Sequence, residues 1–161
     1  NLIEQLGLEI DTLRIINRYD VQGVNDDILK QGINTILAEP MVDDVYYETY
    51  PFEEKKVLAI EYLPGQYDQR ADSAMQCVQL ISQTEKPTIA VAKVFALKGN
   101  ISTEELERIK KYCINPVDSR EASLEKPNSL QLETEIPEDV KIFDGFIVSI
   151  FWFGTGDGAS E

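Results

Sequence analysis

A constant spacing of 76 residues constrains this chain more than any single motif. Leu13/Ile89, Ile15/Val91, Tyr19/Phe95, Val21/Leu97, Gly23/Gly99, Ile33/Ile109, Leu37/Cys113 and Pro40/Pro116 are pairs of like residue type, each 76 positions apart. Both sets carry the same two periods in the same order. An alternating apolar run, "DTLRIINRYDVQG" or "TIAVAKVFALKGN", is followed by apolar positions at helical spacing, "NDDILKQGINTILAEP" or "ISTEELERIKKYCINP". Alternation puts one set of side chains on one face of a strand, whereas spacings of three and four put them on one face of a helix. Acids in the first helical turn, Ser102 or Thr103 as N-cap, and the prolines Pro40 and Pro116 mark where the helices start and stop. The unit is therefore strand then helix, present twice. Asn17 interrupts the alternation of the first strand, which predicts a bulge or a strand end at that position.

The second unit has more in front of it: a strand, "KVLAIEYL", a turn, and a helix with Ala71, Ala74, Met75, Val78 and Ile81 on one face. By the same offset Leu2 corresponds to Val78, so the first unit keeps only the end of that helix and lacks the strand before it. The chain opens at Asn1 in an apolar, helix-like segment and reads as part of something longer. A complete unit runs strand, helix, strand, helix and closing strand, the closing strand of the first unit being "VDDVYYE". The expected fold is α+β: duplicated strand-helix-strand-helix-strand units of ferredoxin-like type, in antiparallel sheets with helices on one face, the two sheets packed as a pseudo-dimer. The expected divisions are a first, N-terminally truncated repeat over 1–52, a second repeat over 53–123, and a linker and C-terminal tail over 124–161. The incomplete first repeat leaves an edge uncovered and predicts self-association. In the tail, "IVSIFWF" is strand-like and the last eight residues read as disordered. "GTGDG" has no strand-turn-helix unit around it, so it is not read as a phosphate loop.

Composition narrows the chemistry. Lys+Arg 15 against Asp+Glu 29 gives a net charge of -14, which repels nucleic acid and anionic membranes. There is no histidine, so the commonest general base and metal ligand is missing. Cys77 and Cys113 stand in separate helical patterns without a CxxC partner and read as buried, reduced thiols in a cytoplasmic protein. No apolar run long enough to span a membrane is present, and no metal site is expected. Tyr46, Tyr47, Tyr50 and Phe52 read as cover for a sheet face or edge.

Two motifs exceed what turns require. In "LPGQYDQRADSA", Pro64-Gly65 makes the reversal and Asp68 caps the following helix. Arg70, however, puts a positive charge in the first helical turn, where the dipole disfavours it by about 0.3–1 kcal/mol. Two roles stay open for it: a local ion pair with Asp68 or Asp72, or contact with another domain or a substrate. In "NPVDSR", Pro116 and an Asx-type turn at Asn115 or Asp118 suffice to end the helix, and again Arg120 exceeds that need. The candidate docking or substrate-side residues are Pro64, Gly65, Gln66, Asp68, Arg70, Asp72, Asp118 and Arg120. No catalytic residue is assigned.

With "RIINRYDV", "LPGQYDQRADSA" and "NPVDSR" spread over most of residues 1–146, the chain resembles the N-terminal region of phosphoribosylformylglycinamidine synthase in its single-chain form. In that family the region is a fused pseudo-dimer similar to the small structural subunit of the multi-chain enzyme. The resemblance implies part of a purine-synthesis ligase that consumes formylglycinamide ribonucleotide, glutamine and ATP. It implies a scaffold that holds the synthetase and glutaminase domains of the same polypeptide, with ATP and magnesium belonging to the full-length protein and no cofactor held here. On its own this chain is expected to be inactive. After Ile147 it departs from the family pattern. The alternative is a stand-alone regulatory module that binds a small molecule between paired copies. An RNA-binding sheet is disfavoured by the charge and by the lack of an aromatic-basic pattern.

Overall fold

Both strand-then-helix stretches form where the two periods place them. The computed structural model describes residues 7–39, 41–52, 55–83, 87–130 and 147–154, with side chains at all of these except 147 and 152–154. In chain order the elements are β1 (Ile10–Gln22), α1 (Asp26–Gly32), β2 (Asp43–Tyr47), β3 (Lys56–Tyr62), α2 (Gln69–Ser82), β4 (Thr88–Gly99), α3 (Thr103–Cys113), β5 (Ser119–Glu121) and β6 (Ile147–Gly154). Asn25 caps α1 by accepting from the Ile28 amide at 2.9 Å, with Asp26 and Asp27 behind it in the first turn. The helix then widens into a single π turn, Ile33–Leu37, closed by Ala38 N–H to the Ile33 carbonyl at 3.1 Å. Pro40 lies outside the described residues. A full capping box starts α3: Ser102 Oγ accepts from the Glu105 amide, and the Glu105 carboxylate accepts from the Ser102 amide.

The strands form one antiparallel six-stranded sheet in the order β2-β6-β1-β4-β3-β5. Two sheets packed on each other were expected; the structure joins both strand-helix units edge to edge instead. The seam is the long β1–β4 ladder, from Ile10 opposite Gly99 to Gln22 opposite Thr88. Pairing these two strands satisfies two rows of backbone donors and acceptors that separate sheets would leave as edges. Asn17 is neither a bulge nor an end: it sits mid-ladder, opposite Lys93. The irregularity falls at Ile10/Thr12, where Gly99 comes close; a Cβ on Gly99 would stand 2.7 Å from the Glu9 carbonyl oxygen.

Among the described residues, α1, α2 and α3 all lie on one face of the sheet. Over one half, Leu29, Ile33, Leu37, Ala74 and Val78 cover Tyr19, Val21, Ile89, Val148 and Ile150. Over the other, Ile109 with Leu106 and Cys113 covers Leu58, Ile60, Phe95 and Leu97. Each fully buried Leu, Ile or Val of this layer contributes about 1.5–3 kcal/mol relative to exposure. The opposite face carries Ile16, Ala59, Val94, Ala96 and Phe151 under Tyr46, Tyr50 and Phe52. Tyr46 meets Tyr50 edge to face with centroids 4.9 Å apart, whereas Tyr47 is exposed. The segment after β5 crosses this face. It is held by Ala122 N–H to the Ala59 carbonyl (2.8 Å), by Lys126 to Glu48 (2.7 Å) and by Leu130 N–H to Gln22 Oε1 (3.1 Å). Cys77 and Cys113 are free thiols and half-buried rather than buried, and burial pushes the Cys113 thiol up. Among the described residues no helix is long and apolar enough to cross a membrane.

Candidate functional site

The turn between β3 and α2 is built by its own residues. Gln66 N–H reaches the Leu63 carbonyl at 3.0 Å across Pro64 and Gly65, and Gly65 takes φ +87, as the third position of a type II turn requires. Asp68 Oδ1 then accepts from the amides of Arg70 (2.9 Å) and Ala71 (3.1 Å), capping α2 as its position in the sequence predicts. Arg70 takes neither acid as its partner. Its Nη1 donates to the Tyr19 hydroxyl of β1 at 3.3 Å, reaching over the sheet floor. Asp72 points elsewhere, accepting from the Tyr67 hydroxyl (3.1 Å) and from Gln76 Nε2 (2.9 Å). Its hydrogen bond pushes the exposed Tyr67 phenol up.

The turn after α3 is an Asx turn on Asn115, whose Oδ1 accepts from Val117 N–H at 3.2 Å while its Nδ2 donates to Asp118 Oδ2 at 3.1 Å. Leu63 N–H donates to the Asp118 carbonyl at 2.8 Å and ties the two turns together. Arg120 closes the edge, with Nε and Nη2 each 2.7 Å from Glu61 Oε1. Arg120 is exposed and Glu61 half-buried, and solvent screening limits the pair to about 1 kcal/mol or less.

Two motifs about fifty residues apart in sequence thus meet beside one cleft of about 720 Å³ on the helix-bearing face. Asp68, Arg70 and Asp118 line it; so do Asn17 and Lys93 from the floor, with Ile60, Val91 and Phe95 around them. Pro64, Gly65, Gln66 and Arg120 open instead, with Asp68, onto a second recess of about 780 Å³ under the segment that follows β5. Asp72 lines neither. Sequence reasoning missed Asn17 and Lys93 as a pair. They interrupt the otherwise apolar helix-side faces of β1 and β4 at positions 76 apart, and that shared interruption is the signal that could have found them. Among the described residues Lys93 has no hydrogen-bond or ion-pair partner, while the acids of the cleft are engaged: Glu61 with Arg120, Asp68 with backbone amides, Asp118 with Asn115.

The second recess ends on a buried polar cluster that sequence reasoning also missed. Arg18 and Asp20 on β1 and Ser149 on β6 are 4%, 2% and 3% exposed. Ser149 Oγ donates to Asp20 Oδ1 at 2.5 Å, and Arg18 Nη1 donates to the Ser123 carbonyl at 2.6 Å. Arg18 Nε stands 3.1 Å from Asp20 Oδ2, close enough for an ion pair but not aligned for a hydrogen bond. Burial pushes the Asp20 carboxyl above its ordinary value, more than the Arg18 charge and the Ser149 hydroxyl pull it down.

No family model, curated protein or solved structure matches this chain. Among the described residues no group of three or more His, Cys, Asp or Glu side chains is placed to hold a metal ion.

Proposed function

We propose that this chain is a non-catalytic scaffold domain of a glutamine- and ATP-dependent ligase of the phosphoribosylformylglycinamidine synthase kind, built as an internal pseudo-dimer. The observation that carries the reading is the register of the sheet. Asn17 and Lys93 are 76 apart and face each other at the centre of the seam. Ile60 lies between Lys93 and Glu121, and Trp152 lies between Asn17 and Val45; Glu121 and Val45 are again 76 apart. These matched spacings are what a two-fold axis through the Asn17–Lys93 pair would give, and they support reading the six strands as two sets of three. A fused pair of small structural subunits, which the resemblance implies, accounts for that repetition. Within it, the turn with Arg70 and the turn with Asp118 flank the central cleft, where a scaffold would present them to synthetase and glutaminase domains of the same cytoplasmic polypeptide. The test is to read the coding sequence adjoining this chain and assay the whole product. Formation of the amidine from formylglycinamide ribonucleotide, glutamine and ATP is expected, with none from the isolated chain. An adjoining sequence without synthetase-type domains overturns the reading.

A second reading, a stand-alone module that binds a small anion, is favoured by one observation. At the centre of the cleft floor Asn17 and Lys93 stand among the apolar Ile60, Val91 and Phe95, and the Arg70 guanidinium reaches over them. A polar pair in an apolar floor marks a binding site more readily than a packing need. Saturable binding of inorganic phosphate at constant ionic strength, abolished by Lys93→Gln, supports this reading; no binding removes it.

A further inference from the structure

The strand that completes the first half of the sheet comes from the far end of the described chain. β6 lies between β1 and β2, and its backbone takes the place that β3 takes between β4 and β5. Asp20 faces Ser149 as Ala96 faces Val57, and Arg18 faces Phe151 as Val94 faces Ala59. The matched places differ in kind. One half holds only apolar side chains there, while the other holds the buried Arg18, Asp20 and Ser149. Burying an ion pair is a poor source of stability, because desolvation offsets much of the attraction. What such a cluster does well is penalise a wrong partner. A strand without the matching donor leaves Asp20 buried with an unmet acceptor.

We propose that the gap between β1 and β2 is a strand-recognition slot read by Asp20, which Arg18 holds in place. The partner it fits is an extended strand with a small hydroxyl side chain at the position of Ser149 between apolar residues such as Val148 and Ile150. β6 is its occupant. A strand of the β3 type, with valine at the matching place, is refused although its backbone register fits, because its methyl groups donate nothing to Asp20. The two halves of the sheet therefore do not exchange strands. This inference stands apart from the ligase reading, since it concerns only how the chain selects its own strand.

The test is native-state hydrogen exchange on the full chain, comparing β6 amides with β3 amides in the same sample. Ser149→Val is expected to lower β6 protection by about tenfold or more, the change that an unmet buried acceptor implies. Ser149→Thr, which keeps the hydroxyl, is expected to change it by no more than about threefold. In an Arg18→Val/Asp20→Ala background the order reverses, and Ser149→Val protects β6 as well as serine or better. An unchanged β6 in the native background, or an equal loss in both backgrounds, overturns the proposal. If Ser149→Val unfolds the whole chain, refolding by Arg18→Val/Asp20→Ala supports it and continued unfolding overturns it.

Discussion

In the half of the sheet built by β3, β4 and β5, the face away from the helices holds Val57, Ala59, Val94 and Ala96. In the half built by β2, β6 and β1, the matching places hold Ser149, Phe151, Arg18 and Asp20. The ladders run in the same register, so the backbone requires neither chemistry. On the helix-bearing face the halves agree: Leu58 and Ile150, at matching register positions, are both 0% exposed. The difference teaches that stability here comes mainly from the shared apolar layer, while the polar cluster governs which strand may enter. In the apolar half a wrong strand loses only contacts. In the polar half it also leaves an acceptor of the buried Asp20 unmet.

The comparison is broken most severely by removing one partner of the cluster. Asp20→Ala leaves Arg18 buried without a counter-charge and is expected to cost about 3–5 kcal/mol, read from the denaturant midpoint. A midpoint near that of the unaltered protein would show that the pair is solvated. Truncation in the shared layer comes next. Leu58→Ala and Ile150→Ala are each expected to cost about 2–5 kcal/mol, and similar values mean that β6 belongs to the same cooperative unit as β3. A much cheaper Ile150→Ala would separate β6 from the rest of the sheet.

Converting the polar half to the chemistry of the other separates specificity from stability. Arg18→Val, Asp20→Ala and Ser149→Val together are expected to be neutral or stabilising by about 1–4 kcal/mol, because a packed apolar replacement escapes the desolvation cost. A large loss would mean that the cluster itself contributes stability. A smaller effect follows from the Asp20 carboxyl, whose value burial raises above the ordinary 3.8. The native state then binds more protons than the unfolded state, so this group's contribution falls as pH rises from about 3.8 through the raised value and is level above it. Asp20→Asn should remove that slope from midpoints measured over about pH 3.5 to 7. The smallest effect is expected at Arg70, which is exposed and makes one 3.3 Å bond to a neutral hydroxyl. Arg70→Ala should cost less than about 1 kcal/mol in a thermal melt.

The strand-helix units were legible in the sequence because Leu13/Ile89 and Ile33/Ile109 hold their apolar type on both the strand and the helix period. Asp68 was legible as a cap because capping is local, decided within three residues. The joining of both units into one sheet was not, since the seam pairs residues as far apart as Ile10 and Gly99 and leaves no local trace. Asn17 carried a signal that was misread: its polarity reflects the floor of a cleft at the centre of the ladder, not an irregular backbone. Arg70 found Tyr19, 51 positions away, rather than an acid beside it. Arg18 and Asp20 left no signal because what buries them, Ser149 and the segment after β5, lies more than a hundred positions away.

The central claim is that β6 stands to β1 and β2 as β3 stands to β4 and β5. It is tested most directly by cross-strand backbone contacts in an NMR spectrum of the full chain. Contacts of Trp152 with both Asn17 and Val45 are expected, matching those of Ile60 with Lys93 and Glu121. A shift of β6 by one residue would turn Ser149 to the helix face and Ile150 away from it. Contacts in that shifted register, or pairing of residues 147–154 with any other strand, would contradict the account.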